Sequence, residues 1–181
     1  QPEDGRRSPS PARALLERPY VDRSRVGIWG WSYGGFMSLN AMFQHPDIYR
    51  TAIAVSPVTH WALYDNVYTE RFNGLIDQNR EGYDRGSPIS YVSGKRGDLL
   101  LVHGGGDDNV HYQNSEMLIN ALVAANKPFE LMVYPNRTHC ICQGKNTTPH
   151  LFDMMTRFLD RTLMRAPAAA GAGVERAAAR P

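Results

Sequence analysis

The chain has 181 residues, of which 42% are hydrophobic and 21% are charged, and its formal net charge is +2. This length and apolar content suit one globular domain, and no apolar run reaches the length of a membrane span. The arginines are scattered and form no basic stripe interleaved with aromatic residues, so the composition does not indicate a nucleic-acid partner.

Composition divides the chain into three parts. Residues 1–19 form a polar, proline-rich lead-in whose end, at 12–18, is interpreted as the remnant of a helix. Residues 20–165 form the predicted globular domain, and residues 166–181 are an Ala/Gly/Pro tract that is expected to be a disordered tail. Because the chain begins at Gln1 and not at an initiator methionine, we expect it to be a piece of a longer protein.

A glycine-rich turn around one serine follows the first predicted strand, at 25–29. The sequence Gly30-Trp31-Ser32-Tyr33-Gly34 is typical of a nucleophile elbow, in which a serine lies at a strained bend between a strand and a helix. Glycines are expected two residues to either side of the serine, because a side chain there would collide with the neighbouring backbone. The apolar and small residues at 36–43 predict the helix that follows. Ser32 is therefore the candidate nucleophile.

A serine nucleophile needs a base and an orienting acid further along the chain. In α/β-hydrolases these follow in the order acid, then histidine, each on a loop after a strand. The predicted strand 98–102 leads into a glycine-rich turn with Asp107, and the predicted strand 129–134 opens into a loop with His139. Asp107 is the predicted acid and His139 the predicted base. The backbone N–H of Tyr33, which follows the serine, is the predicted oxyanion donor.

The sequence His103-Gly104-Gly105-Gly106 resembles the oxyanion motif of lipases and esterases. That motif belongs to a loop before the nucleophile strand, whereas this sequence comes after it. We interpret it as a turn that delivers Asp107, with His103 as a packed or hydrogen-bonded structural residue. The remaining histidines are interpreted as structural or solvated: His45, His60, His111 and His150.

Three motifs together resemble the dipeptidyl peptidase IV branch of the prolyl oligopeptidase family. They are the elbow at 30–35, the segment at 56–71 and the sequence Asp107-Asp108-Asn109-Val110-His111. The resemblance covers about residues 20–164. The segment at 56–71 is the most specific, because its Trp, two Tyr and Thr-Glu-Arg have no generic structural reason to recur in that register. The resemblance implies an α/β-hydrolase fold and gives Ser32, Asp107 and His139 the roles assigned above.

Only part of that fold is expected in this chain. The predicted parallel strands at 25–29, 51–55, 98–102 and 129–134, with flanking helices, account for its C-terminal half. Members of the family carry an upstream β-propeller, whose acidic pair grips the substrate amine, and an upstream tyrosine that completes the oxyanion hole. Neither is identified in this sequence.

The resemblance also implies a substrate site. Asn109 would hydrogen-bond a substrate carbonyl, and the S1 pocket would be lined by Tyr33, Val58, Trp61, Tyr64, Tyr68 and Val110. Aromatic rings give a proline pocket large rigid walls. Tyr64 and Tyr68 are four residues apart and Trp61 is three before Tyr64, so we expect one face of a helical turn to carry all three. An amphipathic core helix would give the same pattern, and this alternative stays open.

The function implied is a serine exopeptidase that releases N-terminal dipeptides ending in proline or alanine through an acyl-enzyme on Ser32. No metal or cofactor is expected, and the partners are peptide substrates and, in a full-length parent, a second copy of the chain. The family implies a periplasmic, secreted or cell-surface location. The alternatives are an acylaminoacyl peptidase or esterase of the same fold, and a catalytically silent piece.

The two cysteines, Cys140 and Cys142, are too few for a disulfide framework, and they lack the other ligands of a zinc site. Cys140 directly follows the predicted base, at a position where the family usually has glycine. We therefore expect the loop around His139 to differ in shape from that of the family.

Overall fold

The computed structural model describes residues 11–164. The predicted tail at 166–181 and most of the polar lead-in lie outside the described residues. The described part begins with a short helix, α1 (Pro11–Leu16), where a helix was expected at 12–18.

Four parallel strands form the sheet, in the order β1, β2, β3, β4. Their bounds are Gly27–Trp31 for β1, Thr51–Val55 for β2, Asp98–Gly104 for β3 and Glu130–Tyr134 for β4. Ile28 lies opposite Ala52, Ile53 opposite Leu100, and Leu101 opposite Leu131. The predicted α/β class and the parallel arrangement are confirmed, although β1 lies two residues later than the predicted 25–29.

Helices lie between successive strands, as a parallel sheet requires, and a further helix follows the last strand. They are α2 (Tyr33–Gln44), α3 (Asn66–Asn73), α4 (Arg80–Gly86), α5 (Gln113–Ala124) and α6 (Thr147–Leu163). Two 3-10 turns, Trp61–Leu63 and Pro88–Gly94, lie between β2 and β3. The helix predicted at 36–43 is α2, which begins earlier than predicted, directly after Ser32.

The sheet has a buried core on each face. Alternate residues of a strand point to opposite faces, so Ala52 and Ala54 pack with Leu39 of α2 and Leu118 of α5, whereas Ile53 packs in a second cluster with residues of α6. Burial on both faces explains why β2 is entirely apolar apart from its first residue, since a parallel sheet covered by helices has no solvent face.

All four strands run in the same direction, so their carboxyl ends lie along one edge of the sheet. Ligands of open α/β sheets bind at that edge. Ser32 follows β1, Asp107 follows β3 and His139 follows β4. The three predicted functional residues therefore lie on loops at one edge of the fold.

Candidate active site

Ser32 occupies the bend between β1 and α2 in a conformation that non-glycine residues rarely adopt. Its φ is 58° and its ψ is −119°, and its backbone N–H donates a 2.8 Å hydrogen bond to the carbonyl oxygen of Val55. Strained backbone of this kind clusters at functional sites, where the surrounding structure holds it. The predicted elbow geometry is present.

The glycine requirement differs from the expected one. A Cβ on Gly30 would lie 2.2 Å from the carbonyl group of Gly34, so Gly30 is required as predicted. A Cβ on Gly34 would meet nothing within 4 Å, and the prediction is wrong for this residue. The crowded glycine on the helix side is Gly35, where a Cβ would lie 3.0 Å from both the Val55 carbonyl oxygen and the Pro57 side chain. The helix turns Gly34 outward and brings Gly35 against β2.

The backbone N–H of Tyr33 lies at the first residue of α2. First-turn N–H groups of a helix have no acceptor within the helix, and they carry the positive end of its dipole. The first hydrogen bond of this turn runs from the Phe36 N–H to the Ser32 carbonyl. The Tyr33 N–H thus has the chemistry of an oxyanion donor beside the predicted nucleophile.

The Asp107 side chain is completely buried. Its Oδ1 accepts hydrogen bonds from the backbone N–H groups of Asn109 and Val110, both at 3.0 Å. Its Oδ2 lies 2.8 Å from His139 Nδ1 and 3.3 Å from His103 Nε2. Burial by itself would raise the pKa of the Asp107 carboxyl, but the hydrogen bonds from His103, His139 and Asn109 outweigh it and hold this pKa well below its usual range.

His139 is oriented by the contact with Asp107. An ionised carboxylate can only accept, so the hydrogen of this 2.8 Å bond lies on Nδ1, and in the neutral ring Nε2 is left with a lone pair. The indole N–H of Trp31 donates to the His139 carbonyl oxygen at 2.9 Å, which holds the His139 loop against the elbow. Among the hydrogen bonds of residues 11–164, none involves the Ser32 hydroxyl.

An aromatic cluster lies beside the elbow. Tyr33 contacts Phe36 and Trp61, and Trp61 stacks on Tyr68 with ring centroids 5.7 Å apart. Val58, Trp61 and Val110 are buried in one apolar cluster, whereas Tyr33 and Tyr68 keep 53% and 39% of their surface exposed. The six residues predicted for the S1 pocket are Tyr33, Val58, Trp61, Tyr64, Tyr68 and Val110. We call the four with aromatic rings the aromatic wall.

The prediction that one face of a helical turn carries Trp61, Tyr64 and Tyr68 is wrong. Trp61 lies in a 3-10 turn, Tyr64 has extended backbone angles, and Tyr68 lies in α3. The break has a local cause, because the Asp65 side chain accepts a hydrogen bond from the Tyr68 N–H and so caps α3 at its N-terminus. The rings still meet, since Tyr64 lies edge-on to both Trp61 and Tyr68.

Asn109 joins the aromatic wall to the acid loop, which is the turn after β3 that carries Asp107. The Tyr64 hydroxyl donates to Asn109 Oδ1 at 2.9 Å. Because the amide oxygen accepts this bond, the amide nitrogen keeps its two hydrogens for another acceptor.

Two contacts and one disulfide around the site were missed by sequence reasoning. His103 is packed and hydrogen-bonded, as interpreted, but it also approaches Asp107, and the four-residue spacing between them on one turn was the available signal. The bond from Trp31 to His139 joins residues 108 positions apart, and no local pattern indicates it. Cys140 and Cys142 form a disulfide with each other, a pairing that was not predicted, and His139 keeps its contact with Asp107 beside it.

The fold and the site define the class of protein. Parallel strands with helices on both faces, a serine at a strained strand-to-helix bend, and an Asp–His pair after later strands are features of the C-terminal part of an α/β-hydrolase domain. The family model for the prolyl oligopeptidase family matches residues 10–165. The chain belongs to the prolyl oligopeptidase family of serine peptidases, in its dipeptidyl peptidase IV branch.

Individual relatives agree with that assignment. The chain is 47% identical to human dipeptidyl peptidase 8 over 67% of this chain and 14% of that protein, and 42% identical to human prolyl endopeptidase FAP over 81% of this chain and 20% of that protein. The crystal structure of dipeptidyl peptidase 4 from Porphyromonas gingivalis matches with a TM-score of 0.81 and 43% identity, over 84% of this chain and 22% of that one. The chain thus spans between 14% and 22% of the length of these relatives.

The described residues carry neither a group of three or more side chains suited to a metal ion nor, among their helices, one with the length and apolar character needed to cross a bilayer.

Proposed function

We propose that the protein is a serine exopeptidase that releases N-terminal X-Pro or X-Ala dipeptides through an acyl-enzyme on Ser32. The observation that carries the proposal is the 2.8 Å bond between buried Asp107 and His139, on loops at the same sheet edge as the strained Ser32. The relatives with dipeptidyl peptidase names support the class of substrate. Peptides outside the cytoplasm are the proposed substrates, because the family resemblance implies a periplasmic, secreted or cell-surface location.

In the proposed mechanism His139 Nε2 takes the proton of the Ser32 hydroxyl while Oγ attacks the scissile carbonyl. The Asp107 carboxylate stabilises the imidazolium that forms and fixes its ring. The Tyr33 N–H stabilises the negative charge that develops on the carbonyl oxygen. His139 then gives the proton to the leaving amine, and water hydrolyses the acyl-enzyme by the same route in reverse.

The aromatic wall supplies the proposed preference for proline. Flat, rigid rings at Trp61, Tyr64 and Tyr68 suit a five-membered ring and exclude water at little cost in side-chain entropy. The amide hydrogens of Asn109 are available to donate to the carbonyl of the substrate residue before proline, because the Asn109 amide oxygen already accepts the hydrogen bond from the Tyr64 hydroxyl. In the proposed arrangement these contacts hold proline on the N-terminal side of the scissile bond.

Product analysis of the full-length protein tests this proposal. Peptides beginning Gly-Pro, Ala-Ala and Gly-Leu are incubated with the enzyme, and the products are identified by mass spectrometry. We expect release of the intact N-terminal dipeptide from the first two peptides and slow or no release from the third. N-acetylated Gly-Pro peptides are the matched control, and their cleavage at the same rate would contradict an exopeptidase and favour an endopeptidase or acylaminoacyl peptidase.

A further inference from the structure

His103 lies at the end of β3 and is completely buried. Its Nε2 is 2.8 Å from the Val110 carbonyl oxygen and 3.3 Å from Asp107 Oδ2. Its Nδ1 is 2.7 Å from the hydroxyl oxygen of Ser115, which is buried in α5. Tyr112 lies edge-on to the ring, with centroids 5.5 Å apart. Every polar atom of the ring therefore has a partner inside the protein.

These partners determine where one hydrogen of the ring lies. The Val110 carbonyl and the Asp107 carboxylate can only accept, so His103 Nε2 carries a hydrogen in either protonation state of the ring. That N–H lies between two acceptors that belong to the same turn. On the other side of the ring, the Ser115 hydroxyl anchors Nδ1 to a helix.

Asp107 Oδ2 is thus approached by two imidazole rings. His103 reaches it from the interior, and His139, whose side chain is 22% exposed, reaches it from the site. Oδ1 is already held by two backbone N–H groups. The His103 contact is the side-chain contact that restrains Oδ2 from the inner side, independently of the loop that carries His139.

We propose that His103 is a positioning residue, which holds Asp107 so that Oδ2 faces His139 Nδ1 in the geometry that proton transfer requires. Ser115 completes the arrangement by fixing the ring of His103. The inference rests on the proposed function, because it gives His103 a role in turnover that acts through Asp107. A purely structural histidine would instead contribute to folding alone.

The test uses steady-state kinetics of the full-length protein with a chromogenic Gly-Pro substrate. His103→Leu removes the donor at similar volume. We expect kcat to fall about tenfold or more, as misplacement of a catalytic group by about 1 Å can cost 100-fold, with KM within about twofold of wild type. His103→Gln can place an amide N–H near the position of Nε2, and we expect it to recover most of the lost kcat.

Leu99→Ala is the matched control. Leu99 is buried at the opposite end of β3, so its truncation weakens the fold without touching Asp107. We expect a lower melting temperature with unchanged kcat. Equal kcat in His103→Leu, His103→Gln and wild type, or equal loss in both His103 variants and in Leu99→Ala, would overturn the inference.

Three further variants keep the outcome interpretable. If His103→Leu does not fold, Ser115→Ala takes its place, because it frees the ring while leaving Nε2 in reach of Asp107; a kcat equal to wild type would then overturn the inference. Ser32→Ala and Asp107→Asn test the proposed function separately. If these two variants keep turnover, the proposed function fails; if they abolish it while the His103 variants match wild type, only the inference fails.

Discussion

Adjacent carboxylates in the acid loop have different surroundings. The Asp107 carboxylate is buried and accepts four contacts, two from backbone N–H groups and two from histidines, whereas its neighbour Asp108 is exposed. Both residues follow β3 on the same turn. The turn decides between them, because only Asp107 points inward towards the loop that follows β4.

This difference gives a prediction with a built-in control. Asp107→Asn in the full-length protein replaces an acceptor by a group that can donate to His139 and so favours the wrong tautomer. We expect kcat to fall on the order of 10⁴-fold. Asp108→Asn changes the same charge on an exposed residue, and we expect a loss of less than about tenfold. Equal losses in the two variants, measured with a Gly-Pro substrate, would contradict the assignment of Asp107.

Tyr64 is the residue that links the aromatic wall to the substrate side of the acid loop. Tyr64→Ala removes a ring and the bond to Asn109. We expect the ratio of kcat/KM for Gly-Pro over Gly-Leu substrates to fall by an amount equal to about 1–3 kcal/mol in transition-state binding. Tyr64→Phe keeps the ring and loses only the hydroxyl, so it should retain most of the ratio. A ratio unchanged by Tyr64→Ala would mean that these rings serve the core alone.

At the scale of elements, the turn from β1 to α2 depends on glycines at unequal positions. Gly30→Ala would force a Cβ to 2.2 Å from the Gly34 backbone, which cannot move without distorting the elbow. We expect Gly30→Ala to lower the melting temperature and to abolish labelling by a fluorophosphonate. Gly34→Ala meets no atom within 4 Å and lies in a helix, where alanine is favoured by about 1 kcal/mol over glycine. Its melting temperature should equal or exceed that of wild type, and an equal decrease in both variants would contradict this reading.

The strands and the elbow were predictable from the sequence because their signals are local. An apolar run such as that of β2 and a glycine–serine turn each depend on a few consecutive residues. The structure of the segment from Trp61 to Tyr68 was not predictable in this way. Its aromatic spacing fits one continuous helix, whereas the Asp65 cap starts a new helix, α3, in the middle of the segment. The contacts of His103 and Trp31 depend on how distant loops meet, and they became visible only in the folded chain.

At the scale of the whole molecule, β1 lies at one edge of the described sheet. An edge strand presents unpaired N–H and C=O groups to other chains, and Trp29 on β1 is 51% exposed. We expect the 181-residue chain, expressed alone, to self-associate in light scattering and to cleave Gly-Pro substrates poorly. A monodisperse monomer with ordinary peptidase turnover would contradict this expectation and would mean that these residues suffice for activity.

Covalent labelling determines whether Ser32, His139 and Asp107 act together as a catalytic unit. The full-length protein and its Ser32→Ala variant are treated with a fluorophosphonate, and the modified peptide is identified by mass spectrometry. We expect a single adduct on Ser32 in the wild type, formed more slowly in the presence of a Gly-Pro substrate, and no adduct in Ser32→Ala. A wild-type protein that is folded but unlabelled at Ser32, or a Ser32→Ala variant that still hydrolyses Gly-Pro substrates, would contradict this expectation.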